Sequence, residues 1–303
     1  MISLGTVAGS FAYILALIFR IKTYIYQYER HSEFLKDFGI WSASSVSFKF
    51  LNYFERLSGR KANILATGTN HMINRLAKEG NKSSIYLLPS CVNEEIFKFN
   101  PMDRNEIRER LGIQEKKVVI YLGKFGGIYF ELEAIASFFA EWNKLDKQTY
   151  FLILTPYDHD EIRENLEEKG LNERNYFVSR VDHQEVPSYL SAADMGVVAV
   201  PTLPSQKFRS PIKVGEYLCC GLPYVVGKGI SEDDIVADKH RAGVVLNSYD
   251  REGLRSALPE IRKLFDEDSD NLRSRCRAAG VAYRGFHRLK GTNKEIFDQI
   301  STW

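Results

Sequence analysis

Residues 196–226 read GVVAVPTLPSQKFRSPIKVGEYLCCGLPYVV. Two apolar runs, Gly196 to Val200 and Tyr224 to Val226, flank a helical pattern from Pro211 to Cys220. Short apolar runs that alternate with helical patterns are typical of a parallel sheet with helices on both faces. The segment is therefore predicted to be a strand–helix–strand unit of a doubly wound α/β domain.

Both ends of the central helix are marked in the sequence. Ser210 is placed as the N-cap, and Pro211 takes the first helical position, where a missing N–H is tolerated. Gly221 is predicted to end the helix, and Pro223 prevents it from continuing. Because a strand precedes this helix, its N-terminus should point into the crevice at the carboxyl edge of the sheet.

The same alternation extends over the rest of the chain. It covers residues 117–246 and, with about three strands, residues 1–90. We predict two Rossmann-like, doubly wound domains over 1–100 and 101–283, followed by a helix over 284–303. A doubly wound domain usually opens with a strand and a glycine-rich turn, so the first domain is interpreted as incomplete at its start.

Composition narrows the class of protein. The chain has 303 residues, with 41 Lys and Arg against 39 Asp and Glu, a net charge of +2. This length predicts roughly two domains, and the balanced charge argues against a dedicated nucleic-acid-binding protein. A hydrophobic content of 44% excludes a disordered chain. The four cysteines lack metal-binding spacing and are interpreted as thiols of a cytoplasmic protein.

The first residues have no charged side chain until Arg20. Hydropathy alone allows a membrane anchor here. Ser and Gly residues interrupt the run, and no basic residue precedes it. We therefore favour a strand end, a glycine-containing turn and a buried helix from about Ser10 to Ile21.

The helix that begins near Pro211 is the first candidate site. Its free N–H groups and its dipole favour an anion, and Lys207, Arg209 and Lys213 add positive charge around the same end. Glu216 lies one turn deeper, where a carboxylate can accept two ribose hydroxyls. The alternative is an ordinary capped helix in which Lys213 and Glu216 form an i,i+3 ion pair.

A second candidate follows the strand at 118–122. Gly123, Gly126 and Gly127 form a glycine-rich turn that includes Lys124. The pattern departs from G-x-G-x-x-G, so it does not predict a nicotinamide cofactor. Backbone N–H groups in such a turn can bind phosphate oxygens. Two phosphate-binding elements therefore converge on one crevice.

These residues resemble a known family. The motifs are residues 121–129, YLGKFGGIY; 185–190, EVPSYL; and 210–223, SPIKVGEYLCCGLP, of which the last is the most specific. In the first domain, residues 28–33 and 88–93 fit the same pattern. Over nearly its whole length the chain resembles bacterial GT-B glycosyltransferases of the retaining family-4 type, enzymes of capsule, O-antigen and exopolysaccharide assembly. The resemblance implies a GT-B-like fold whose last helix packs on the first domain.

The resemblance also implies roles for individual residues. It assigns catalytic roles to His31, which faces the donor sugar, and to Lys124 and Lys213, which lie near the donor diphosphate. It implies that Glu216 binds the ribose and that residues near Val178 to Val181 flank the base. The residues expected to bind the nucleotide sugar are Gly123, Gly126, Gly127, Arg180, Lys207, Arg209, Ser210, Pro211, Ile212 and Glu216.

Two positions depart from the family pattern. Many relatives carry Glu-x(7)-Glu, but Phe208 takes the first position, which leaves the contact to the sugar hydroxyls unassigned. Relatives also begin about ninety residues earlier, with a glycine-rich loop, so activity of a shortened first domain is an open question.

The implied reaction moves a sugar from a nucleoside diphosphate to a hydroxyl of a saccharide or lipid-linked acceptor, with retention. It needs no cofactor and no metal. The expected location is cytoplasmic, and a lipid-linked acceptor would place the enzyme at the inner face of the membrane. Competing classes are a non-catalytic remnant or partner subunit, a nucleotide-sugar epimerase, and a phosphorylase-like enzyme.

Two acidic clusters invite other interpretations. Asp158-His-Asp160 resembles the D-x-D of metal-dependent glycosyltransferases, but its position favours an N-cap and first-turn acids. Glu232 to Asp234 is likewise interpreted as a helix start. His31 between Glu29 and Glu33 is either an acid–base group or a loop residue with satisfied hydrogen bonds.

Overall fold

A computed structural model describes residues 1–127 and 129–303; Ile128, within the 121–129 motif, lies outside the described residues. The described chain forms two entirely parallel sheets, of four and six strands, with helices between successive strands. The predicted α/β class with two Rossmann-like domains is confirmed.

The first sheet contains β1 (Ile2–Leu4), β2 (Tyr24–Tyr26), β3 (Ile64–Thr67) and β4 (Ser84–Leu87), which are adjacent in chain order. Its helices are α1 (Thr6–Phe19), α2 (His31–Asp37), α3 (Val46–Lys61) and α4 (Asn70–Lys78). The register places Ile2 beside Tyr24, and Ile64 between Tyr24 and Ser84.

The second sheet contains β5 (Lys117–Leu122), β6 (Thr149–Leu154), β7 (Tyr176–Ser179), β8 (Met195–Val198), β9 (Tyr224–Gly227) and β10 (Gly243–Leu246). Its helices are α5 (Pro101–Leu111), α6 (Leu132–Leu145), α7 (His159–Glu168), α8 (Val186–Ala192), α9 (Ile212–Cys219), α10 (Asp233–Lys239), α11 (Arg251–Asp266) and α12 (Ser269–Arg284). The strand order is β10-β9-β8-β5-β6-β7, so the chain reverses its direction of winding between β5 and β8.

The last helix, α13 (Phe286–Ile300), lies on the first domain. Ile296 is buried beside Tyr24 and Tyr26, and the Tyr86 hydroxyl donates to Gln299 Oε1 at 3.0 Å. The first domain therefore takes part of its core from the far end of the chain.

Each sheet has an apolar core on both faces. β6 is buried along its whole length, as expected for a strand covered by helices on both sides. A 3₁₀ helix, Pro204–Phe208, reaches from the second domain to the first, where Phe208 packs with Met72 and Leu76. Through this contact, a segment of the second domain is anchored in the core of the first.

The structure moves the start of the first helix and adds a helix that the sequence did not predict. The first helix begins at Thr6 rather than near Ser10, because β1 ends at Leu4 and gives the first sheet a fourth strand. The short helix α2 was not predicted. The helix after β5, α6, begins at Leu132, so Tyr129 lies in the loop beside the candidate site.

Among residues 1–127 and 129–303, no helix combines the length and apolar character that a membrane crossing requires. One face of α1 packs inward, and Gly9 allows close contact with the Ile25 side chain of β2. The opposite face exposes Phe11, Ile18 and Phe19.

Candidate functional site

The N-terminus of α9 lies at the point where the second sheet reverses its winding. α9 follows β8, and β8 pairs with β5 through Val119 beside Met195. Ligands of open α/β sheets bind in the crevice at such a switch point, outside the carboxyl ends of the strands. A cavity of about 250 Å³ occupies this crevice. Its lining includes Tyr121 to Gly123, Tyr129, Val197 to Val200, Gln206, Arg209 to Lys213, and Ser90 from the interdomain connector.

The helix end itself has no side-chain cap. Pro211 is the N-cap residue, and no side chain accepts a hydrogen bond from the first turn. The prediction that Ser210 caps the helix is wrong. Its hydroxyl instead accepts hydrogen bonds from the Ser90 N–H at 3.1 Å and from the Arg284 guanidinium. The first N–H groups of α9 are thus left for an anionic ligand, with Pro211 and Ile212 on the cavity wall.

Basic and acidic side chains surround this helix end. Lys213 Nζ lies 2.9 Å from Glu216 Oε2 and 3.2 Å from Oε1, so the i,i+3 ion pair of the alternative interpretation is present. Glu216 is buried, whereas one third of the Lys213 side chain is exposed. Lys213 therefore stands between the buried carboxylate and the cavity.

The glycine-rich turn after β5 is divided between the site and solvent. Gly123 lines the cavity. Gly126 and Gly127 have φ of 71° and 64°, in the left-handed region that favours glycine. Lys124 is exposed, and its carbonyl accepts a hydrogen bond from the Tyr121 hydroxyl. The turn geometry thus brings Gly123 to the cavity while the Lys124 side chain faces solvent.

His31 lies on the first domain, at the start of α2. It lines a second cavity, of about 470 Å³, together with Gly5, Glu29, Arg209 and Ser210. The imidazole stacks on Phe34 with ring centroids 5.5 Å apart, and Nδ1 is 3.9 Å from Glu29 Oε1. Because Arg209 and Ser210 border both cavities, the structure brings His31 to the same cleft as the α9 N-terminus.

Arg209 connects the two sides of the cleft. Its guanidinium lies 5.3 Å from the Phe34 ring centroid, and Nε is 3.9 Å from Glu29 Oε2. Desolvation opposes ionisation of Glu29, but hydrogen bonding to His31 and the charge of Arg209 hold the pKa of this carboxyl below its usual value. The cluster at the mouth of the cleft therefore carries charges of both signs.

Two predicted binding residues lie elsewhere. Arg180 is exposed at the end of β7, two strands away from β5. Lys207 borders a separate groove with His71, and its ammonium lies 5.0 Å from the Phe208 ring centroid. Neither residue lies at the α9 N-terminus. The sequence could not predict this, because spacing along the chain does not fix the direction of a loop side chain.

The acidic clusters also have defined places. The Asp158 carboxylate accepts hydrogen bonds from the N–H groups of Asp160 and Glu161, so the predicted N-cap is confirmed. Asp233 begins α10 and pairs with Arg284 in the interior. Among residues 1–127 and 129–303, no three His, Cys, Asp or Glu side chains are grouped as a metal site would require.

Sequence reasoning missed three residues that support the site. Glu55 is buried and accepts hydrogen bonds from the backbone of His31 and Ser32. Arg284, the last residue of α12, holds Ser210. Gln206 borders the cavity with an amide that has no partner among the described residues. None of the three belongs to a spaced motif, so only the folded chain reveals them.

The comparison with family models bears directly on the second domain. Residues 116–263, which include β5, β8 and α9, match the model described as "Glycosyl transferases group 1". Residues 116–263 form a glycosyltransferase group 1 domain. The glycosyltransferase domain thus contains the whole carboxyl edge at which the 250 Å³ cavity lies. No curated protein sequence matches the chain.

Solved structures extend the likeness to both domains. Sucrose-phosphate synthase from Thermosynechococcus elongatus aligns with a TM-score of 0.77 at 16% identity, over 99% of this chain and 73% of that one. HepE from Anabaena in complex with UDP aligns with a TM-score of 0.73 at 13% identity, over 99% and 79%. WaaG, a glycosyltransferase involved in lipopolysaccharide biosynthesis, aligns with a TM-score of 0.61 at 14% identity, over 93% and 95%. The glycosyltransferase domain and the domain before it therefore have the GT-B arrangement.

Proposed function

We propose that the chain transfers a sugar from a nucleoside diphosphate to a hydroxyl of a saccharide or lipid-linked acceptor, with retention, in the assembly of a cell-surface polysaccharide. One observation carries this proposal: the uncapped N-terminus of α9 lies at the switch point of a glycosyltransferase group 1 domain, beside Lys213 and facing His31. Structural relatives support a nucleotide-sugar donor, since HepE from Anabaena has been solved with UDP and with UDP-glucose.

In this proposal the diphosphate binds the first turn of α9. Lys213 leaves Glu216 and turns to the phosphate oxygens, because two phosphate charges attract the ammonium more strongly than one carboxylate does. The released Glu216 carboxylate then accepts the two ribose hydroxyls. The ion pair between Lys213 and Glu216 is thus exchanged for two contacts to the donor.

Retention is proposed to follow from attack on the same face as the leaving group. The bond between the sugar carbon and the diphosphate oxygen breaks as the acceptor oxygen bonds to that carbon. The acceptor proton passes to the departing diphosphate. The chain contributes positioning and neutralisation of the leaving group through α9, Arg209 and Lys213, and His31 contacts the sugar from the other domain. Because these groups supply positive charge, we propose a reaction without a metal.

Titration calorimetry with UDP, GDP and CDP tests the donor site. We expect one nucleotide to bind with micromolar affinity. Glu216→Ala should weaken it by roughly 1.5–3 kcal/mol, the contribution of hydrogen bonds to a charged group. Glu260→Ala is the matched control, since Glu260 forms the same i,i+3 pair with Lys263 at 2.7 Å on the exposed face of α11. A folded chain that binds none of the three nucleotides would contradict the proposal.

Peripheral membrane contact is part of the proposal for a lipid-linked acceptor. It is supported by the exposed apolar face of α1, which is followed by Arg20 and Lys22, and by the absence of any carboxylate side chain before Glu29. Such a surface suits anionic headgroups over an apolar layer. Flotation with vesicles that contain phosphatidylglycerol should carry the chain, and equal recovery with neutral vesicles would contradict the charge argument.

A further inference from the structure

A separate groove lies where the 3₁₀ helix of the second domain meets the first domain. It has a volume of about 560 Å³ and is bordered by α2, α4 and Pro204–Phe208. We call it the α4 groove. Lys207 lies in it, although the family resemblance assigned this residue to the nucleotide sugar. Two residues later, Arg209 borders the cleft, so the α4 groove lies directly beside the candidate site.

One face of α4 lines this groove along its length. His71, Asn74 and Lys78 recur at a spacing of three and four residues, which places them on one side of the helix. The opposite side buries Met72 and Leu76 in the core of the first domain. Asn74 and Lys78 are exposed, so the face is open to a ligand. Two helical turns extend over about 10 Å, so the α4 groove is elongated.

The carboxylates that border the α4 groove already have partners within the protein. Arg75 donates to both oxygens of Glu33, at 2.7 and 2.5 Å. Glu79 accepts from Arg75 at 3.1 Å and also from the buried Arg30. Asp37 accepts a backbone N–H of the 3₁₀ helix at 2.9 Å. The negative charges of the α4 groove are therefore neutralised from inside the structure.

Two cations in the α4 groove are not neutralised in this way. Lys78 and Lys207 are exposed, and within the described part of the chain neither ammonium has a carboxylate oxygen within 4.0 Å. Arg56 also lies 3.8 Å from Glu79, so three arginine side chains are shared between two glutamates. The α4 groove therefore presents an excess of positive charge to solvent.

These groups define the chemistry of a ligand. A lysine ammonium binds carboxylates and phosphates as a point charge, and the amide of Asn74 and the imidazole of His71 can bond to hydroxyls. An elongated groove that offers both kinds of contact suits a saccharide that carries negative charge.

We propose that the α4 groove binds an anionic segment of the acceptor saccharide, whose carboxylates or phosphates pair with Lys78 and Lys207. This inference rests on the proposed function and names the class of its acceptor. The donor binds in the cleft, so nucleotide affinity should not depend on these two lysines.

The test measures binding of two oligosaccharides to the full chain by titration calorimetry. Trigalacturonate carries a carboxylate on every ring, and maltotriose is a neutral probe with the same number of rings. We expect trigalacturonate to bind at least about tenfold more tightly, with an advantage that shrinks as salt is raised. The double variant Lys78→Gln with Lys207→Gln should weaken trigalacturonate binding by about tenfold, since it removes two ion pairs. Its affinity for the nucleoside diphosphate should be unchanged.

Lys147→Gln with Lys290→Gln is the matched control. Both lysines are exposed, lie outside the α4 groove and have no carboxylate oxygen within 4.0 Å among the described residues. This variant removes the same charge and should bind trigalacturonate as the unmodified chain does. Equal weakening in both double variants would trace the effect to net charge and overturn the assignment.

Glucose 6-phosphate distinguishes an acceptor segment from a free sugar phosphate. If it binds more tightly than trigalacturonate and its binding depends on Lys78 and Lys207, the groove takes a small anion and the acceptor assignment is overturned. A chain that binds a nucleotide but prefers neither anionic probe to maltotriose overturns the groove and leaves the donor site standing. A folded chain that binds no nucleotide contradicts the proposed function, whatever the result at the α4 groove.

Discussion

The Ser210 hydroxyl shows how a single side chain can leave the role that local sequence assigns to it. Ser before Pro is a good N-cap pattern, yet this hydroxyl accepts from Arg284, which lies 74 positions later in the chain. A hydrogen bond to a charged donor is stronger than one to a backbone N–H, so the tertiary partner prevails. The α9 N–H groups remain available to a ligand as a consequence.

On the other side of the cleft, Glu55 holds the backbone at His31 in place. Its carboxylate accepts from the His31 N–H at 2.7 Å and from the Ser32 N–H at 3.3 Å. These bonds fix the first turn of α2, from which the His31 ring reaches the cleft. Burial is the largest influence on this carboxyl and raises the pKa of Glu55 to about 7.

A pH dependence of stability follows from this shift. Between the usual carboxyl pKa near 4.5 and about 7, the folded state keeps the Glu55 proton and the unfolded state releases it. Stability should therefore fall as pH rises through this window. Glu55→Gln mimics the protonated form and serves as the reference. Relative to it, the free energy of unfolding of the unmodified chain should fall by on the order of 1–3 kcal/mol as the pH rises through this window.

Urea unfolding at several pH values measures this difference. Glu95→Gln serves as the control, since Glu95 is exposed and its replacement should give a difference that is flat with pH. A Glu55→Gln difference that is equally flat would show that burial does not raise the pKa of Glu55.

At the scale of elements, the end of α12 connects helices that are distant in sequence. Arg284 is the last residue of α12, and its guanidinium contacts Asp233 at the start of α10, Ser210 before α9, and the Ser90 carbonyl. The side chains of Arg284 and Asp233 are 6% and 2% exposed, so the pair is buried. The segment that leads into α9 is thus held from outside by α12.

Removing one partner of this pair should be costly. Arg284→Met leaves the Asp233 carboxylate buried without its counter-charge, and we expect a loss of about 3–5 kcal/mol in the free energy of unfolding. The double variant Asp233→Leu with Arg284→Met should recover most of the loss, because no buried charge remains. Arg163→Met, at an exposed pair with Asp160, should change stability by less than about 1 kcal/mol.

Chemical denaturation of the four proteins distinguishes these outcomes. Stability of Arg284→Met equal to that of the unmodified chain would contradict the role given to the buried pair. A double variant no more stable than the single one would show that the two residues do not act together.

At the scale of the whole molecule, the two domains share one cleft. Ser90, Arg209 and Ser210 border the cavity at α9, and the same three residues border the cavity at His31. Phe208 and α13 hold the domains together through apolar contacts in the first domain. A ligand long enough to extend from α9 should therefore reach α2.

Amide hydrogen exchange can detect whether a bound ligand extends from α9 to α2. The nucleoside diphosphate selected by titration should slow exchange at residues 212–214 because it binds the second domain alone. Its sugar conjugate should also slow exchange at residues 29–34, where His31 faces the sugar. Amides of α11 serve as the internal reference, and protection confined to residues 212–214 with both ligands would contradict a shared site.

The fold class and the helix at the site could be predicted from local patterns in the sequence. Short apolar runs such as 118–122 and 196–200 predict strands that are buried on both faces, and they can be seen in the sequence without knowledge of distant contacts. The end of α9 before Gly221 and Pro223 and the Asp158 cap of α7 could be predicted because each depends on residues adjacent in the sequence. These features depend on neighbours within a few residues, which the sequence displays directly.

The set of side chains that meet in the cleft depends on the folded chain as a whole. The directions of Lys207, Phe208 and Gln206 depend on how the 3₁₀ helix lies between two domains, and no period in the sequence encodes that. Arg284 reaches Ser210 because α12 ends beside α9, a contact between positions far apart in the chain. The physical reason is that helix and strand formation is local, whereas burial and pairing of polar groups depend on the packing of the whole chain.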